Sequence, residues 1–142
     1  MQTFITKSEQ ETEALGARLA GALCGGSVVA MFGDLGSGKT ALVRGMARGM
    51  GIDALVNSPT FTIVNEYVGL RSLFHFDMYR LGSADELYDI GWEDYLARNG
   101  VCAVEWSENV EEAFEGDEVI ITFRKLDETT REITIEGGNL SC

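Results

Sequence analysis

The octapeptide Gly33-Asp-Leu-Gly-Ser-Gly-Lys39-Thr40 brings together three glycines, a lysine and a hydroxyl at the spacing G-x-x-x-x-G-K-[S/T]. That is the spacing of a phosphate-cradling Walker A loop. Glycine at 33, 36 and 38 frees the backbone to turn successive N–H groups inward around phosphate oxygens. Lys39 is long enough to reach β- and γ-phosphates, and the Thr40 hydroxyl suits Mg²⁺. Asp34, Leu35, Gly36, Ser37, Gly38, Lys39, Thr40 and Ala41 are therefore the expected phosphate-binding set. A glycine-rich turn can match this pattern by chance, so the elements around it decide the reading.

Those elements have the required order. Ser27 to Phe32 is a β-branched, apolar run suited to a buried strand. After the loop, Val43, Met46, Ala47 and Met50 recur at helical spacing, while Arg44 and Arg48 point elsewhere. A helix starting near Lys39 aims its unpaired N–H groups and positive dipole end at the same anion. Strand, loop and helix together predict a site for a nucleoside triphosphate.

The rest of the chain supplies candidate carboxylates. Leu73 to Met78 reads as a strand with His75 and Asp77 on one face and Phe74, Phe76 and Met78 on the other. Asp77 is well placed for water or metal chemistry, whereas His75 reads as a satisfied strand histidine. Val101 to Val104 is a short apolar strand ending in Glu105-Trp106, the form of a Walker B site. Asn57-Ser58-Pro59-Thr60 holds the only proline and is a stiff turn. It reads first as a plain loop entering a strand from Phe61 to Tyr67. The alternative is a nucleotide-sensing segment in which Thr60 meets the γ-phosphate or its metal.

The remaining elements frame these. Gln2 to Thr6 suits a short edge strand. Ser8 and Glu11 form a capping box for a helix bearing Leu15, Leu19, Ala22 and Leu23, ended by Gly25-Gly26. Val68 to Ser72 links Phe61–Tyr67 to Leu73–Met78 as a hairpin, which makes part of the sheet antiparallel. Ser83 and Glu86 form a second capping box, and helix resumes after Gly91 through Arg98. Val110 to Phe114 suits one helical turn. Glu118 to Lys125 and Arg131 to Glu136 flank Asp127 to Thr130 as a terminal hairpin, and residues 137–142 are expected to fray.

Bulk properties narrow the classes. At 142 residues the chain makes one domain, residues 1–142, with no room for a lid or a second nucleotide fold. A net charge of −12 argues against unaided binding to nucleic acid or anionic membrane. Three widely spaced cysteines, 24, 102 and 142, leave little case for a disulfide framework or zinc site. No signal peptide or membrane-spanning run is present, so the expected location is cytoplasmic and reducing.

Taken together, Gly33-Asp-Leu-Gly-Ser-Gly-Lys-Thr40, Ser58-Pro-Thr-Phe-Thr62, His75-Phe-Asp-Met-Tyr-Arg80 and Val104-Glu-Trp106 resemble the TsaE (YjeE) family. The likeness runs over nearly the whole chain in order and spacing, least so in the terminal hairpin and tail. These are small bacterial P-loop ATPases needed for threonylcarbamoyladenosine (t6A) in tRNA. The resemblance implies an α/β, P-loop NTPase-type domain with a mixed parallel and antiparallel sheet flanked by helices. It implies ATP and ADP as ligands, with Thr40 and Glu105 serving Mg²⁺ and Lys39 the phosphates. Asp77 would act in hydrolysis, Thr60 in a switch-like loop and Trp106 near the nucleotide. The helix opening with Ser8 and Thr12 would approach the adenine. The implied partners are TsaD and TsaB, with tRNA reached only through them and no membrane. A small-molecule kinase would need a lid that the chain lacks, and a GTP switch would carry Asn-Lys-x-Asp, which is absent. A nucleotide-sensing adaptor shares the same sequence features.

Overall fold

In the computed structural model, residues 1–34, 36–53, 56, 63–69, 71–138 and 140 are described. Leu35, the Ser58-Pro59-Thr60 turn with Thr60 as a ligand residue, and the start of the strand expected from Phe61 lie outside them.

The chain opens with β1 (Gln2–Thr6) and α1 (Glu9–Ala22), then β2 (Val28–Phe32) and α2 (Lys39–Gly49). β3 (Val64–Tyr67) and β4 (Leu73–Asp77) lead to two short helices, α3 (Ala84–Asp89) and α4 (Trp92–Ala97). β5 (Val101–Glu105), two 3-10 turns at Ser107–Asn109 and Glu111–Ala113, and the hairpin β6 (Val119–Lys125) and β7 (Arg131–Gly137) complete it. β7 thus reaches one residue into the stretch expected to fray.

Among the described residues seven strands form one sheet in the order β1-β7-β6-β2-β5-β4-β3. The centre is parallel, β2 lying between β5 and β6 and β4 running beside β5. Antiparallel pairs close both sides, β3 with β4 and β1 and β6 with β7. The expected mixed sheet and both hairpins are present. The central strands are buried, as their continuous apolar runs require.

Strand alternation divides the core in two. Val29, Met31, Leu73, Val101, Ala103, Ile121 and Ile133 face α1 and α2. Phe74, Phe76, Cys102 and Val104 face α3, α4 and the 3-10 turns. There Trp92 stands edge-on to Phe76, with ring centroids 5.2 Å apart.

Two helices cross over the first face, and their glycines set how closely. A Cβ on Gly45 of α2 would overlap the Glu13 carbonyl oxygen of α1, and one on Gly16 the Leu42 carbonyl oxygen. Glu13 also takes ion pairs from Arg44 and Arg48.

Helix starts follow the capping signals unevenly. Ser8 Oγ accepts the Glu11 N–H at 3.1 Å, and the Glu11 carboxylate accepts the Lys7 N–H at 3.0 Å, one residue before the cap. Ser83 occupies the N-cap of α3 in extended geometry but makes no side-chain cap bond. Cys24 is disulfide-bonded, against the expectation from cysteine count and spacing. Cys102 is a buried free thiol. Among the described residues no helix is long and apolar enough to cross a membrane.

Candidate functional site

β2, β4 and β5 run parallel and end together at Phe32, Asp77 and Glu105. Chain that leaves these carboxyl ends must turn, and the crevice it forms is where open α/β sheets take ligands. Here the turn after β2 is the glycine loop. Gly36 and Gly38 have φ of +75° and +107°, values at which a side chain would be strained. Gly38 is the N-cap of α2, so the loop hands directly to the positive end of that helix.

A cavity of about 450 Å³ opens over this helix end, within the size range of small-ligand pockets. Gly36, Gly38, Lys39, Thr40 and Ala41 form its floor, with Asp77, Glu105 and Trp106 beside them. Ser8 and Thr12 of the α1 start stand on one wall and Glu128, Thr129 and Arg131 of the terminal hairpin on another. A cavity of similar size at the opposite strand ends is lined by Glu115, Asp117 and Glu118 with no lysine or arginine among its described walls. Carboxylates repel phosphate, so the two cavities differ in the ligand charge they tolerate.

Lys39 is 4% exposed. Its Nζ donates to the Gly33 carbonyl at 2.6 Å and sits 4.0 Å from the centre of the Trp106 ring. Burial lowers its pKa from the ordinary lysine value, while Glu105, Glu108, Asp77 and Asp34 oppose that shift. The ammonium is thus a buried cation at the edge of the crevice, its desolvation opposed by these carboxylates. Trp106 reaches it from a left-handed backbone position, φ 58°, immediately after the strand.

Thr40 Oγ1 donates to Glu105 Oε2 at 3.2 Å, joining the glycine loop to the end of β5. The same Glu105 oxygen lies 2.5 Å from His75 Nε2. Asp77 stands level with Glu105 in the β4–β5 register, and its Oδ1 accepts the Tyr79 N–H at 3.0 Å. Thr12 Oγ1 is 2.7 Å from Thr6 Oγ1 and 3.3 Å from the Ser8 carbonyl. Asp34 is exposed, its carbonyl accepting the Ser37 N–H at 3.2 Å. The Ser37 hydroxyl is buried without a hydrogen-bond partner among the described residues.

The structure therefore gathers Gly36, Gly38, Lys39, Thr40, Ala41, Thr12, Asp77, Glu105 and Trp106 around one cavity. Two features go beyond the sequence reading. Arg131 Nη2 donates to the Gly36 carbonyl at 3.2 Å, pinning the hairpin to the glycine loop. No motif marks that residue; only the placement of β7 beyond β6 in the sheet brings it there. His75 is bonded to a site carboxylate rather than merely packed, and its sharing a face with Asp77 was the available signal.

A hydroxyl and a carboxylate beside a helix N-terminus are hard oxygen donors of the kind Mg²⁺ takes with phosphate. No group of three or more His, Cys, Asp or Glu suited to hold a metal by itself occurs among the described residues. A cation here would rely on its ligand's phosphates for the remaining coordination.

Comparison with known proteins matches residues 6–133 to the family model TsaE, described as threonylcarbamoyl adenosine biosynthesis protein TsaE. A Treponema pallidum protein named tRNA threonylcarbamoyladenosine biosynthesis protein TsaE is 40% identical over 131 residues, covering 92% of this chain and 97% of its own. A Bacillus subtilis protein of the same name is 41% identical over 136 residues, 94% of this chain and 85% of its own. The crystal structure of Bacillus subtilis YdiB superposes with a TM-score of 0.81 at 34% identity, over 94% of this chain and 83% of that one.

Proposed function

The chain belongs to the TsaE family of threonylcarbamoyl adenosine biosynthesis, and we infer that it binds and hydrolyses ATP with Mg²⁺ in support of t6A formation in tRNA. The observation that carries this reading is the hydrogen bond from Thr40 to Glu105 at the α2 N-terminus, with Lys39 buried beside it. Phosphoryl transfer asks little covalent chemistry of a protein, only placed charges and an aligned nucleophile. The glycine-loop N–H groups and Lys39 would hold the phosphates. Thr40 and Glu105 would hold Mg²⁺, Glu105 through water; bound there, the ion would neutralise charge developing on the β- and γ-oxygens. Asp77 would orient the attacking water. Ser8 and Thr12 would border the adenine end and Trp106 would cover the phosphate side.

The −12 charge opposes solitary capture of tRNA. On this reading ATP serves a partner complex, TsaD with TsaB, whose threonylcarbamoyl transfer it resets between rounds. ATP must then favour the docked state by differential affinity, since equal binding shifts nothing.

The test mixes purified TsaD, TsaB, tRNA and this protein with Mg²⁺ and ATP. Complex formation should require ATP, hydrolysis should quicken in the complex, and modification should pass a single round. Lys39→Ala should abolish nucleotide binding in calorimetry while the circular dichroism spectrum is retained. Unchanged binding and turnover in that variant would refute the site. Brisk hydrolysis alone, with no effect on the pair, would refute the partner role.

A further inference from the structure

We propose that His75 is a positioning residue for the Glu105 carboxylate, fixing the oxygen set that Glu105 presents to a metal-bound water. The proposal rests on the nucleotide reading above and concerns a residue that reading does not use. His75 is wholly buried, 0% exposed, on the middle of β4. Its Nε2 lies 2.5 Å from Glu105 Oε2, shorter than the 3.2 Å bond that oxygen receives from Thr40.

The strand register explains how the contact arises. His75 stands opposite Ala103 and Asp77 opposite Glu105 across β4 and β5. All four point to the α1 and α2 face. A methyl group opposite His75 leaves space for the imidazole to lean two register positions along the sheet, to Glu105. A larger side chain at 103 would fill that space.

The second ring nitrogen decides the direction of the bond. Nδ1 is buried and has no hydrogen-bond partner among the described residues. A bare acceptor is tolerated in such a place more readily than an orphan N–H. The Nε2–H tautomer satisfies both conditions, with Nε2–H donating to the carboxylate and Nδ1 left as the acceptor. Glu105 Oε2 then receives two donors, His75 and Thr40. No described residue donates to Oε1, so that oxygen keeps its capacity for a water. Without His75, Glu105 would be held by the single 3.2 Å bond from Thr40. Loss of such a supporting hydrogen bond behind a metal-site residue typically costs roughly 10- to 100-fold in activity or metal affinity.

His75 is the sole histidine in the chain, so a long-range ¹H–¹⁵N spectrum of the uniformly labelled protein contains one imidazole. The expected spectrum is that of the Nε2–H tautomer, with the Nε2 resonance moving on Glu105→Gln and on adding Mg²⁺ with a non-hydrolysable ATP analogue. The Nδ1–H tautomer, or an Nε2 resonance indifferent to Glu105→Gln, overturns the proposal without any activity assay. In turnover, His75→Leu should lower kcat at least tenfold and raise the Mg²⁺ concentration for half-maximal rate, with KM for ATP within about twofold of the parent. His75→Gln, which keeps a donor near the Nε2 position, should recover most of both. Equal kcat and Mg²⁺ dependence in the Leu and Gln variants would reduce His75 to packing. Parent protein that fails to bind Mg²⁺ with nucleotide overturns the underlying reading; parent protein that binds while His75→Leu behaves normally overturns this proposal alone.

Discussion

Asp77 and Glu105 are level in the sheet yet differently held, and that difference separates their expected roles. Glu105 is 4% exposed and takes donors from Thr40 and His75. Asp77 is half-buried at the strand mouth and takes a backbone N–H from Tyr79. We expect Asp77→Asn to cut single-turnover hydrolysis roughly 100-fold or more with nucleotide affinity near the parent. Glu105→Gln should raise the Mg²⁺ concentration for half-maximal rate as well as lower the rate. Parent rates in both variants would make the pair structural. A third residue gives a reading independent of nucleotide. Burial pushes the Cys102 thiol up to about 12 from an ordinary 9.0. The folded protein therefore keeps this thiol protonated at pH 8.5, and iodoacetamide should leave it unmodified by mass spectrometry until guanidinium is added. The sign for stability follows: the raised folded pKa means that the contribution is whole below about 9 and is lost as pH climbs toward about 12.

At the level of elements, the α1–α2 crossing is set by glycine, and the same substitution at two glycines should have opposite effects. Gly45→Ala places a methyl group on the Glu13 carbonyl of the facing helix. Backbone cannot move aside cheaply, so overpacking of about 1–3 kcal/mol should exceed the gain of about 1 kcal/mol in helix propensity. Gly21→Ala, with open space around its Cβ, should stabilise by about 0.5–1 kcal/mol. Urea denaturation measures both, and stabilisation by Gly45→Ala would contradict the described crossing. Local signals of this kind made most elements legible beforehand. The glycine loop, the apolar β2 and β5 runs, the Ser8 cap and both hairpins each announce themselves within one local stretch of chain. What the sequence left dark is what depends on distant pairing. Arg131 reaches Gly36 only because β6 lies beside β2 and β7 beside β6. The His75 bond needs β4 and β5 in parallel register. Ser83 shows the reverse failure, a cap pattern whose hydroxyl bonds nothing at the helix start.

The molecule as a whole carries a net charge of −12, and the cavity gathers Lys7, Lys39, Arg44 and Arg131 against that field. We expect no retention of tRNA by the protein alone in filter binding at physiological salt, and retention only with the partner proteins present. Tight binding by the isolated protein would contradict the division of labour inferred above. The sheet order carries a different kind of consequence, one of timing. β1 has a single neighbour, β7, with Thr6 opposite Arg131. A ribosome releasing roughly 5–20 residues per second leaves β1 without that neighbour for about 6–25 seconds. The cavity needs both ends of this wait, since Ser8 and Thr12 follow β1 while Arg131 opens β7. A nascent chain stalled before Arg131 would therefore display its glycine loop and α2 but lack one wall of the crevice, so nucleotide could not help it fold, and ligand-assisted ripening would begin only as synthesis ends.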